Sequence, residues 1–132
     1  MGNSLDPISD EEIVYRRIPA TWYPDQTRVI NDQAFAPHKH NDHDGLSVSR
    51  AKFNDPEDAT KRVASGKKFF LARLSVHDLK KIGLSVIPAP LDNDPGHAVI
   101  PEINASNRGE KLTLERQRQL VQLCMDVIGP IE

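Results

Sequence analysis

Several features that would narrow the function at once are missing from this chain. Cys124 is the only cysteine in 132 residues. No internal disulfide can form, so a reducing compartment, the cytoplasm, is the expected setting. No apolar run approaches the roughly 18 residues that a membrane-spanning helix requires, which argues against a membrane protein. Residues 1–12 are acidic and lack a basic-then-apolar start, so no secretory signal is expected. No charge of one sign prevails: 17 Lys and Arg face 19 Asp and Glu, for a net charge of −2. A dedicated duplex binder would carry a basic excess to meet the phosphates. One Trp, two Tyr and four Phe, not interleaved with the basic residues, make a poor platform for stacking single-stranded bases. Together these absences argue against nucleic acid as a partner. No G-x-x-x-x-G-K-[ST] or G-x-G-x-x-G string offers a loop of backbone amides to phosphate. No G-x-S-x-G elbow raises a serine nucleophile.

What is present fits one folded domain. Hydrophobic residues are 38% and charged residues 27% of the chain, polar but not a disordered composition. This length buries roughly two thirds of the unfolded surface without a metal or disulfide staple. Residues 1–12 are expected to form a flexible tail and 13–132 the domain. Ile13–Ile18 (IVYRRI) has the β-branched and aromatic content of a strand, and Pro19 ends it. Residues 19–45 carry Pro19, Pro24 and Pro37 and read as a long irregular connection, with a helical turn near Val29–Phe35. Gly45 opens a second strand, Leu46–Arg50. Asp55, Pro56, Glu57 and Asp58 are start signals for a helix that Gly66 can end. Lys68–Leu74 is apolar on both faces, as a central strand is. Ser75 and Asp78 resemble a capping box for a short helix closed by Gly83. Leu84–Ile87 and His97–Ile103 read as strands around the turn LDNDPG. In the last helix, capped by Thr113, the residues Leu120, Val121, Cys124, Val127 and Ile128 make one stripe, with Gln117 and Arg118 outside it. The expected fold is a single small α+β domain with a mixed or antiparallel sheet and three helices, the last C-terminal and amphipathic.

Three groups of residues could carry chemistry. His38, His40 and His43, with Asp42 and Asp44, are of metal-ligand type. They lie between Pro37 and Gly45 with no downstream ligand signature, so a solvated loop is expected there, with the three histidines as candidate metal ligands. Arg16 and Arg17 interrupt an apolar strand, and a guanidinium leaves water only for a partner. Alternation puts the two on opposite faces, so one faces water or an anion. Ser47, Ser49 and Arg50 crowd the second strand. The stretch Arg50–Lys81 holds nine basic residues against four acidic ones, either a solvated surface or a patch for an anionic partner. Cys124, on the apolar stripe, is expected to be a structural thiol.

YRRIP, QAF.P, DGLSVSR and GHAVIPEIN together resemble a family of small bacterial proteins for which no activity is established, over roughly Ile13–Asn104. More loosely, the layout resembles ADP-ribosyltransferase-like folds, including the RES-type toxins. That resemblance implies NAD as the ligand and a toxin or defence role. It implies Arg16 or Arg17 on the pyrophosphate, Ser47 or Ser49 on the ribose, and Glu102 or His97 as the activating group. The chain lacks the Ser-Thr-Ser and Gln/Glu-x-Glu strings of those enzymes. The alternative is a non-catalytic module, a small subunit or antitoxin-like protein, that binds a protein partner through residues 19–44 and the basic 50–81 stretch.

Overall fold

The computed structural model describes residues 6–24, 26–53, 69–92 and 94–131. Its frame is an α+β arrangement whose first strand lies inside the sheet. Strand β1 (Ile13–Pro19) is flanked by β2 (Leu46–Arg50) and β3 (Phe69–Ser75). Helix α1 (Val76–Lys81) follows β3, then β4 (Ile87–Pro88), β5 (His97–Ile100), helix α2 (Lys111–Leu123) and β6 (Asp126–Ile131). The sheet order is β4-β5-β2-β1-β3-β6, and each neighbouring pair is antiparallel.

Register divides the sheet into two faces. Val14 lies opposite Arg50 and Leu74, Ile18 opposite Phe70, Leu46 opposite Ile100, and Val48 opposite Ala98. These residues form the core face, where Val76 and Leu79 of α1 and Leu120 of α2 pack against them. Residues 19–45 are irregular as expected, with 3-10 turns at Ala20–Trp22 and Asp32–Phe35. The second turn sends Ala34 and Phe35 into the core. Gly45 shows why β2 can start where it does. Its φ is +146°, and a Cβ there would sit 2.7 Å from the Ile100 carbonyl oxygen, so only glycine allows this approach to β5.

Several expectations need correction. Two α-helices occur among the described residues, and the helix expected at 55–66 lies outside them. The last helix ends at Leu123, ahead of Val127 and Ile128. Those two β-branched residues pair with Ala72 and Leu71 as part of β6, because tertiary pairing overrides a stripe that continues for only one more turn. The helix also starts earlier, at Lys111 with Glu110 at the N-cap, so Thr113 lies inside it. Gln117 is buried, not exposed. Its Nε2 donates to the Asp32 carbonyl at 3.2 Å, which joins α2 to the second 3-10 turn. Ser75 is the N-cap of α1 but makes no side-chain cap bond. The strand expected at Leu84–Ile87 is reduced to Ile87–Pro88, and the one at His97–Ile103 stops before Pro101.

Residues 6–12, expected as part of the tail, are held against the sheet. Ile8 packs on the core. The Glu12 carboxylate takes a two-pronged pair of bonds from Arg50, Nε to Oε1 at 2.9 Å and Nη2 to Oε2 at 2.8 Å. Arg50 is fully buried and also donates to the Asp6 carbonyl. Its guanidinium lies 4.9 Å from the Phe53 ring centre. Arg50 is therefore not part of a basic surface. Lys61, Arg62, Lys67 and Lys68 of the same stretch lie outside the described residues. No helix among the described residues is long and apolar enough to cross a membrane.

Candidate functional site

The arginine pair of β1 separates as alternation requires, and the structure identifies which member points inward. Arg16 lies on the core face with Val14 and Ile18. Its Nε donates to the Ala34 carbonyl at 3.0 Å and its Nη1 to the Ser47 carbonyl at 2.9 Å. The β1–β2 ladder covers Val14/Arg50 and Tyr15/Ser49, and beyond it the Arg16 side chain supplies a donor to β2. Desolvation pushes Arg16 down to about 10, opposed by the Asp42 carboxylate and reinforced by the Arg17 charge. It remains charged near neutrality. With two backbone acceptors and Asp42 close by, Arg16 is a brace between the 3-10 turn and β2, and it is not placed for a ligand.

Asp42 is the other half of that brace. It is buried, and its carboxylate accepts the His38 amide at 2.6 Å and the Ser47 hydroxyl at 2.9 Å. Ser47 is thereby committed to the loop. The His38 ring turns back on the same loop, where its Nδ1 accepts the amides of His40 and Asn41. The His38 and His40 ring centres lie 5.8 Å apart, and the side chains of His38, His40 and His43 are exposed. Among the described residues no three His, Cys, Asp or Glu side chains gather as a metal site. The run is a turn organised around Asp42.

Glu102 is also engaged. Its carboxylate accepts the Ser85 amide at 2.9 Å and the Ser85 hydroxyl at 2.6 Å. Its carbonyl accepts from Asn107 and Arg116. It ties the segment before β4 to the loop before α2.

The remaining candidates share the second face of the sheet. Ser49 lies directly opposite His97 on β5, and Tyr15 on β1 lies opposite Ser49. Tyr15 is in turn opposite Arg73 of β3, and Arg73 opposite Asp126 of β6. Five adjacent strands thus set out a row of imidazole, hydroxyl, phenol, guanidinium and carboxylate. The last two form a partly exposed pair at 3.3 Å. Arg17 is on this face as well, beside Leu71, which is fully buried. The His97 Nδ1 is 2.9 Å from the Ala89 carbonyl oxygen. A carbonyl can only accept, so Nδ1 is the donor of that bond, and in the neutral form of the ring the lone pair lies on Nε2. The arrangement is a hydroxyl beside an imidazole whose tautomer is set by a third group. Tyr15 was not singled out by sequence reasoning. Alternation along β1 already placed it with Arg17, but the Ser49 and His97 pairings that give it neighbours come from distant strands.

At the Asp126 end of this row, a cleft of about 330 Å³ opens between Tyr23, Arg28, Val29 and Ile30 and the corner where α2 turns into β6. Tyr23, Val29, Ile30, Val121 and Val127 give it apolar walls, and Arg28 lines it from the loop. The Cys124 thiol also borders it and donates to the Asp126 carbonyl at 3.1 Å. Burial pushes that thiol up, so it is poorly disposed to act as a thiolate. Comparison with known protein families, curated proteins and solved structures returned no match.

Proposed function

We propose that the protein handles a nucleotide of the NAD type, as an enzyme of the ADP-ribosyl-transfer class, on the second face of its sheet. One observation carries this reading: Ser49 lies opposite His97 with the imidazole tautomer set by Ala89, on the face that also bears Arg17. The donor set suits such a ligand. A guanidinium fork matches a pyrophosphate, a hydroxyl can bond ribose, and the Nε2 lone pair can accept a proton from an incoming nucleophile. Tyr15 adds a ring beside Ser49 for stacking. Arg16, Ser47 and Glu102 bond within the fold, and Arg17 also has a partner there, which it would exchange for the pyrophosphate. A toxin or defence role rests on the sequence resemblance alone.

The test is calorimetric titration with NAD. Saturable heat is expected for the parent protein, with loss in Arg17→Lys, which keeps the charge but not the fork, and in His97→Ala. Circular dichroism checks that both variants fold. An absence of heat at millimolar NAD would remove the enzyme reading. The non-catalytic partner-binding module would then stand.

A further inference from the structure

We infer that the cleft between Tyr23, Arg28, Val29 and Ile30 and the α2–β6 corner binds a small amphipathic carboxylate, its alkyl body against the apolar walls and its carboxylate on Arg28. This is independent of the NAD reading, since none of Arg17, Ser49 and His97 lines the cleft. Size is the first argument. The cleft is an open groove of about 330 Å³, with room for a compact alkyl group. Wall chemistry is the second. Val29, Ile30, Val121, Val127 and the Tyr23 ring offer apolar surface, and Val29 is left 62% exposed where a ligand would cover it.

Charge is the third argument. Among the described residues, Arg28 and Asp126 are the charged side chains that border the cleft. Asp126 is already paired with Arg73. The Arg28 guanidinium takes part in no ion pair among the described residues, so it is the cation available to a ligand there. Backbone is the fourth. Arg28 has φ +51°, a left-handed conformation in which every other described residue with positive φ is glycine. Its amide is held by the Pro24 carbonyl at 2.8 Å. This conformation closes the turn that starts at Pro24 and places Arg28 at the rim of the cleft. An anion with an apolar body satisfies all four observations. A cation would be repelled by Arg28, and a neutral alkane would leave it unused.

The experiment is titration of the full chain with isocaproate, and with isoamylamine and isocaproamide as cationic and neutral counterparts. Saturable binding is expected for isocaproate and not for the other two. Arg28→Gly, which relaxes the backbone while removing the guanidinium, should weaken isocaproate binding by roughly tenfold. Val29→Asp, at an exposed position where folding is not at risk, should weaken it similarly. His97→Ala should leave it unchanged, which separates this site from the NAD site. The inference is overturned if isocaproate gives no heat, if the amide or amine binds as well, or if Arg28→Gly binds isocaproate like the parent. Tighter binding of a peptide with a free C-terminal leucine than of isocaproate would equally overturn it, in favour of a protein partner.

Discussion

Glu12 and Arg50 offer the sharpest test of what holds the sheet to its N-terminal segment. Glu12→Gln keeps the shape and one acceptor oxygen but removes the charge. Arg50 is 0% exposed, so its guanidinium cannot recover water when its partner is neutralised. Removing one member of a buried pair costs about 3–5 kcal/mol. The retained amide oxygen and the bond to the Asp6 carbonyl place this case at the lower end, about 3 kcal/mol. For a chain of this size that is a fall of roughly 8–15 °C in melting temperature. The pH dependence follows from Glu12 itself. Burial pushes its carboxyl up, but the bonds from Arg50 and the Ser9 amide outweigh burial and hold it below its ordinary value. A depressed carboxyl stabilises the fold above its unfolded value of about 4.3, and the contribution is lost as pH falls through the lower folded value. Urea unfolding at pH 7 should therefore show the full difference between parent and variant, and the two curves should converge in acid. A loss below about 1 kcal/mol at pH 7, or one that does not change with pH, would refute the reasoning.

Leu120→Ala should cost about 2–5 kcal/mol in denaturant unfolding, because Leu120 is fully buried where α2 meets the core. Gln117→Leu, one turn earlier, should stay within about 1 kcal/mol of the parent. It gives up the bond to Asp32 but also removes Oε1, a buried acceptor without a hydrogen-bond partner. Gly45→Ala should destabilise by more than about 1 kcal/mol in the same assay, since both its φ and the Ile100 carbonyl oppose a Cβ.

Local chemistry made much of the frame legible. β1, β2, β3 and the start of β5 follow from β-branched and aromatic runs cut by Pro and Gly, and the body of α2 follows from its stripe. β6 was hidden because Val127 and Ile128 satisfy a helical period as well as a strand, and only pairing with β3 chooses between them. The burial of Arg50 was invisible because its partner lies on another segment, so a residue counted toward a surface patch became core. The arginine pair was half legible. Alternation separated Arg16 from Arg17, but each face of β1 mixes an arginine with apolar residues, and the inward choice depends on carbonyls supplied by residues 34 and 47. The Ser49–His97 juxtaposition needed the β2–β5 register, which no local pattern encodes.

The interior position of β1 bears on how the chain avoids aggregation while it is being made. β1 precedes both of its partners, β2 and β3, in the chain, and Ile13 meets Ser75 only after a long stretch has followed. Until then its β3 edge is unsatisfied, the condition in which a β-branched segment recruits other chains. Arg16 and Arg17 sit in the middle of that segment and give it two like charges that oppose stacking with a copy of itself. The residue that later braces the loop against β2 thus also protects the waiting strand. Replacing the pair with apolar residues would remove that protection in the nascent chain before any effect on the finished sheet arises.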